Sequence, residues 1–232
     1  MDSHELSPTQ VRPRHDRRGL LAYFLIALSA TLLVIGGCKT ATSTQGTGGY
    51  PITDASSEVP NLTLTDQYNR PMSLSSLRGK PVLFDFIYTS CPGPCQLLTS
   101  HMVQIAKQLG PSLGSSVWMV SVTVDPENDN PDRLLNYAKA EGANLKGWYF
   151  LTGSLPQIDQ VMAAFGLRIA RESDGSIDHV LEYFLVNPDG RPTIQYVRQV
   201  DPAEVARDAE AAAGNGGNGL ISRLKSDFRD LI

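Results

Sequence analysis

Three residues carry chemistry in this chain: Cys91, Cys95 and, well downstream, His179. The thiols lie in Phe84-Asp85-Phe86-Ile87-Tyr88-Thr89-Ser90-Cys91-Pro92-Gly93-Pro94-Cys95, where an apolar, strand-like run meets a turn and then a helical pattern. A thiol pair at i and i+4 across such a junction can hold a soft metal ion or trade electrons as a dithiol and disulfide. The unpaired N–H groups and positive dipole end of a helix start favour thiolate over thiol. Pro94 stiffens the first turn without costing a hydrogen bond. These properties serve both chemistries, so spacing and partners must discriminate.

The flanking sequence predicts the elements that position the pair. The run from Val82 to Tyr88 is apolar on both faces apart from Asp85, as expected of a central strand covered on both sides. From Pro94 to Leu109, Leu97, Leu98, Met102, Ile105, Ala106 and Leu109 recur at helical spacing. Val117 to Val124 reads as a second buried strand, ended by Asp125-Pro126. Asn130-Pro131 opens a helix, with proline at the first helical position. Trp148 to Leu151 is a short strand, and Ser154 is placed to cap a helix running to Phe165. Leu167 to Ala170 and Val180 to Val186 are expected strands, separated by a polar loop from Arg171 to Asp178. Asn187-Pro188-Asp189-Gly190 makes a hairpin turn into Thr193 to Val200, and Asp201-Pro202 opens the next helix. Upstream, Asn61 to Thr65 alternates, Asp66 to Asn69 turns, and Pro71 to Leu74 completes an opening hairpin. The order is a β-hairpin, then βαβαβα, then ββα. This is an α/β, thioredoxin-like plan with an added N-terminal β-hairpin and a C-terminal helix extension, and it puts both cysteines at the start of the first helix.

The chain's ends are of a different kind. Residues 1–18 are polar and carry Arg12, Arg14, Arg17 and Arg18, and an apolar run from Leu20 to Gly37 follows. A basic region before an apolar one reads as an export signal. Its end, Val34-Ile35-Gly36-Gly37-Cys38, resembles the bacterial lipobox, which implies cleavage before Cys38 and lipidation of its thiol. Acyl chains at about 0.8 kcal/mol per buried CH₂ make a firm anchor. An uncleaved signal anchor with its basic flank in the cytoplasm is the alternative. On either reading the domain is exported and membrane-anchored, on the extracytoplasmic (periplasmic) side. Residues 1–37 are thus signal or anchor, and 38–57 a Thr/Ser/Gly-rich tether. Residues 58–213 are the domain. Residues 214–232 hold a Gly/Asn-rich break and an amphipathic helix with Ile221, Leu224, Phe228 and Leu231 in one stripe.

With Cys38 lipidated, only Cys91 and Cys95 remain. A disulfide between them closes a loop too small to add much stability, so the pair is kept for its chemistry. A formal charge of −4 and the lack of a basic patch give no support to nucleic-acid binding.

Spacing favours metal. Thioredoxin-type enzymes separate their thiols by two residues, whereas Pro92, Gly93 and Pro94 stand here. The extra residue widens the bite, which suits two thiolates on one ion. No proline occurs from Gln157 to Asn187, where thioredoxin-like oxidoreductases place a cis-proline, and Asp178-His179-Val180 stands there instead. Two thiolates and an imidazole suit copper. Asp178 either orients His179 or only folds the loop. Asp85 is either a buried carboxylate tuning the thiols or a water-bonded residue at a strand edge. Asp125 ends a strand near the site or caps a turn. His101, six residues past Cys95, cannot share the thiols' turn and reads as a surface or helix-packing residue.

At these motifs the chain resembles the Sco/SenC family of copper chaperones. The matching segments are Tyr88-Thr89-Ser90-Cys91-Pro92-Gly93-Pro94-Cys95, Ser121-Val122-Thr123-Val124-Asp125-Pro126 with Asn130-Pro131, and Asp178-His179 before Leu185-Val186-Asn187-Pro188-Asp189-Gly190. The resemblance covers roughly residues 58–213. It implies copper bound through Cys91, Cys95 and His179. It also implies delivery to the binuclear copper centre in the copper-bearing subunit of cytochrome c oxidase, or reduction of that centre's thiols. A Cys91–Cys95 disulfide would gate binding, with thioredoxin-like reductants as possible partners. The family commonly has proline after the second cysteine, and Gln96 stands there in this chain. No substrate is turned over on this reading, so the chain is not read as an enzyme. The rival is an exported thiol–disulfide oxidoreductase using the same cysteines.

Overall fold

The computed structural model describes residues 49–52, 58–168, 170–171, 177–178, 182–197 and 200–214. Strands β1 (Gly49–Pro51), β2 (Thr63–Asp66), β3 (Pro71–Ser73) and β4 (Val82–Ile87) precede helix α1 (Pro94–Leu109). Next come β5 (Trp118–Thr123), α2 (Pro131–Ala140), β6 (Trp148–Thr152) and α3 (Leu155–Ala164). The last elements are β7 (Ala170–Arg171), β8 (Ile177–Asp178), β9 (Glu182–Val186), β10 (Pro192–Val197) and α4 (Pro202–Gly214).

Eight strands form one mixed sheet in the order β1-β10-β9-β4-β5-β6-β2-β3, and β7 pairs only with β8. β4 lies in the middle, parallel to β5 and antiparallel to β9. All six of its residues are buried, which explains its unbroken apolar run. β5 is parallel to β6, so the C-terminal ends of three strands lie together at one end of the sheet. Loops at that end of such a sheet are where ligands meet an open α/β fold. The thiol loop emerges there.

Register assigns the two faces. Asp85 pairs with Ser121 and Tyr183, Tyr183 with Tyr196, and Tyr196 with Gly49. Directly paired residues share a face, so this row forms a polar band. α1 covers it, with the His101 and Tyr183 ring centroids 5.6 Å apart. α4 packs alongside, where Tyr196 donates its hydroxyl to Asp208 Oδ2 at 2.9 Å. α2 joins them through a 2.8 Å hydrogen bond between the Tyr137 and Thr99 hydroxyls. The other face is aromatic: Phe165, at the end of α3, packs on Phe84, Phe86 and Phe184 at 5.0–5.2 Å.

The caps follow the sequence. The Asn130 side chain accepts from Arg133 N at 3.0 Å to start α2, and Ser154 and Gln157 form a reciprocal box at the start of α3. Three readings of the sequence change. Gly49–Pro51, placed in the tether by composition, pair with β10 as an edge strand. Leu167 opens no strand, because its N–H donates to the Met162 carbonyl and closes the end of α3. The residues expected as a loop from Arg171 to Asp178 begin and end in the short β7–β8 pairing.

Gly49 shows why the tether reading failed. A Cβ there would stand 2.6 Å from Ile194 Cγ2 and 2.7 Å from Tyr196 Cε1. What looked like flexibility in a Gly-rich stretch is a close approach of backbone to side chains.

Candidate metal centre

β4 ends at Ile87, and the chain turns at once into the thiol loop. Cys91 N–H donates to the Tyr88 carbonyl at 3.3 Å, and Gly93 N–H donates to the Cys91 carbonyl at 2.9 Å. Gly93, the residue before α1, adopts φ 129° and ψ −49°, a conformation that disfavours a side chain. Pro94 then fills the first helical position, where a missing N–H costs nothing. Cys95 N–H donates to Cys91 Sγ at 3.3 Å, so the free amide of the first turn is spent on sulfur. Gln96 adds a clasp that sequence reading did not foresee, its Nε2 donating to the Cys91 carbonyl at 3.0 Å.

The fold thus brings the two cysteines together, not joined in a disulfide and both buried, Cys91 at 4% exposure and Cys95 at 0%. Burial overturns one expectation. The Cys95 thiol is pushed well above the usual range, first by desolvation, then by its hydrogen bond with Cys91 and by the nearby charges of Cys91 and Asp85. A backbone bond from Tyr88 works the other way but does not prevail. At Cys95 the cost of burying a thiolate exceeds the help from the helix start.

Tyr88 joins the site by its hydroxyl. The hydroxyl bonds both Cys91 and the backbone of Ile177, and burial with the neighbouring thiols pushes its pKa up to about 12. Ile177 is itself buried and stands in β8. Strand β8 is therefore stitched to the thiol loop. His179 lies outside the described residues, as does Cys38. Asp178 is placed in β8 by its pairing with Ala170.

Asp85 is a fully buried residue of the central strand, not an edge residue in water. Burial pushes its carboxyl up to about 7, and Ser121 and a backbone amide pull it only partly back. Neither carboxyl oxygen has a partner in hydrogen-bonding geometry. Ser121 Oγ accepts from the Trp148 indole N–H at 2.9 Å. Asp85 lies close enough to Cys95 for its charge to bear on that thiol.

Asp125 caps a turn. Its carbonyl accepts from Asn128 N and Asp129 N, and its carboxylate accepts from Asn128 Nδ2 at 3.1 and 3.0 Å. The residue missed in the sequence is Asp129. Fully buried, it accepts from Thr89 N at 3.0 Å, from the Thr89 hydroxyl, and from the Thr123 hydroxyl at 2.5 Å. One threonine ending β5 and another just beyond β4 do call for an acceptor, but nothing in one sequence selects Asp129 over Asp125 or Glu127.

His101 is buried in α1, packed on Tyr183 and bonded to the backbone of Val200, which settles it as a packing residue. Desolvation lowers its pKa and keeps it neutral. Among the described residues, no group of three or more His, Cys, Asp and Glu side chains is arranged to hold a metal ion. Nor is any described helix long and apolar enough to cross a membrane.

Residues 51–214 match the SCO1/SenC family profile. The SCO1 protein homolog of Bacillus subtilis (strain 168) is 32% identical over 172 residues, covering 72% of this chain and 89% of that protein. The solved structure of BsSco, described as a member of the Sco family of cytochrome c oxidase assembly proteins with a disulfide switch, is 31% identical. It superposes with a TM-score of 0.61 over 68% of this chain and 94% of its own. Bradyrhizobium japonicum ScoI, solved with copper bound, is 25% identical, with a TM-score of 0.59 over 67% of this chain and 99% of its own.

Proposed function

The chain belongs to the SCO1/SenC family, and from that premise we propose that it is a copper-binding metallochaperone gated by the redox state of Cys91 and Cys95. The observation that carries this reading is the pair of reduced thiols at the start of α1, where the Cys95 amide meets the Cys91 sulfur. Their softness fits copper, which the related ScoI holds in its structure. His179 is the proposed third ligand. It follows two residues after Ile177, whose backbone meets the Tyr88 hydroxyl beside Cys91.

Loading requires both thiols to lose their protons. Cys95 holds its proton firmly because it is buried, so the cation must supply the stabilisation that solvent does not. Once both are thiolates, the exposed Pro92-Gly93-Pro94 segment presents the site to an acceptor. The acceptor proposed is the copper-bearing subunit of cytochrome c oxidase, in keeping with the assembly role given for BsSco. Exchange of the reduced dithiol with a partner's disulfide joins the two sulfurs, passes two electrons and two protons to that partner, which becomes a dithiol, and removes both thiolate ligands. A lipid on Cys38, or the uncleaved apolar run before it, tethers the domain to a membrane on its extracytoplasmic side.

One observation favours a second reading, a thiol–disulfide oxidoreductase acting on an acceptor's cysteines. Asp85 is a buried carboxyl whose charge bears on the Cys95 thiol; on this reading it serves as the base for that thiol during exchange. Copper titration of the reduced full-length chain in detergent, followed by sulfur-to-copper charge transfer, tests the first reading. Wild type should saturate at a single ion per chain and Cys91→Ala should show no such band. His179→Ala should lose tight binding yet keep disulfide exchange; tight binding in that variant would remove His179 from the site.

A further inference from the structure

We propose that Asp129 positions Cys91, by clamping the thiol loop to the end of β5. The inference rests on the reading that Cys91 and Cys95 are the working thiols. Beyond Ile87 the chain has left the sheet, so Thr89 N–H has no strand partner and would stand unpaired without a local acceptor. Asp129 Oδ2 takes that N–H at 3.0 Å, and Oδ1 takes the hydroxyl of the same residue. Thr89 is therefore gripped at both backbone and side chain, with only Ser90 between it and Cys91.

The grip is anchored in turn. Asp129 Oδ2 also accepts from the Thr123 hydroxyl at 2.5 Å, and Thr123 Oγ1 accepts from Asp125 N–H at 3.0 Å. Asp129 N–H closes the turn on the Asp125 carbonyl at 2.8 Å. One fully buried carboxylate thus joins the segment before the first thiol to a strand end and turn some 40 residues away. A carboxylate serves this arrangement best. Three donors converge on its two oxygens, whereas an amide answers all three only by turning its NH₂ to the Thr89 hydroxyl and giving up the charge that strengthens each bond. The other end of the loop is held by the Gln96 clasp and by Cys95 N–H on the Cys91 sulfur. Between these fixings the loop keeps the geometry of the reduced dithiol.

The test equilibrates the full-length chain with glutathione redox buffers and reads the Cys91–Cys95 dithiol fraction, alongside copper affinity and melting temperature. Asp129→Asn should shift the thiol–disulfide equilibrium toward the disulfide by about tenfold, the effect of losing the charge that strengthens these bonds. Thr89→Val, which keeps the N–H and loses only the hydroxyl, should shift it the same way by about threefold. Thr89→Val carries the test alone if Asp129→Asn does not fold. Ile194→Ala, a core deletion on β10, controls for lost stability and should leave the equilibrium unmoved. The proposal is overturned if the foldable clamp variants stay within about twofold of wild type, or if Ile194→Ala shifts the equilibrium as they do. A wild-type chain that forms no Cys91–Cys95 disulfide and binds no copper would sink the underlying reading instead. Wild-type behaviour in both clamp variants, with a working wild type, would sink the clamp alone.

Discussion

The amide of Cys95 donates to the sulfur of Cys91 across 3.3 Å, so the two thiols are inequivalent before any ligand arrives. Cys91 receives a backbone dipole. Cys95 is sealed at 0% exposure, with its proton held by desolvation. Alkylation of the native reduced chain at pH 8, read by peptide mass spectrometry, should modify Cys91 at least ~10-fold faster than Cys95. Equal rates would mean the loop opens freely and the inequivalence is lost in solution.

Tyr88 links the thiols to β8 through one hydroxyl. Tyr88→Phe keeps the ring and removes only that link. Stability should fall by about 1 kcal/mol, the net worth of a buried hydrogen bond. Copper affinity should fall about 5–10-fold with the stoichiometry unchanged, as measured by competition with a chelator. An unchanged affinity would show that the β8 hairpin reaches the site without the hydroxyl.

Two buried carboxyls set a pH dependence far from neutral expectation. Burial pushes Asp208 up to about 6, against partial relief from the Tyr196 hydroxyl, and Asp85 up to about 7. The unfolded chain gives up these protons near pH 4 while the fold keeps them. In that window the unfolded state binds fewer protons, so stability falls as pH rises and levels off above about 7. Asp208→Asn removes one ionisation and keeps an oxygen for Tyr196. At pH 7.5 it should be more stable than wild type by roughly 1–3 kcal/mol, an advantage gone by pH 4. Urea denaturation at pH 4, 5.5 and 7.5 measures this, and a pH-independent difference would contradict the assignment.

Gly49 admits no side chain against Ile194 and Tyr196. Gly49→Val should lower stability by about 1–3 kcal/mol, the cost of overpacking, despite the high strand propensity of valine. A thermal melt decides it. A neutral result would mean that β1 does not pair in solution.

Much of the thiol site was legible because its signals are local. Proline, glycine and two cysteines at a strand-to-helix junction specify a loop and a helix start from steric and hydrogen-bonding rules alone. The period-two and helical repeats likewise place β4, α1, β5 and α2, since each repeat reports which side of an element meets the core. Asp129 escaped because its partners, Thr89 and Thr123, meet it only after β4 and β5 pair. β1 escaped because a glycine needed for close approach and a glycine in a linker are the same letter.

The sequence by itself determined the thioredoxin-like order of elements, the placing of Cys91 and Cys95 at the start of α1, and the softness of the ligands on offer. Only the tertiary structure decided their protonation and company. Desolvation depends on what covers a group, and cover comes from α1, α2 and α4 packing over the Asp85–Tyr183–Tyr196 row. That packing turned a helix start expected to favour thiolate into a site where Cys95 keeps its proton. It also buried Asp85 beside that thiol without a hydrogen-bond partner.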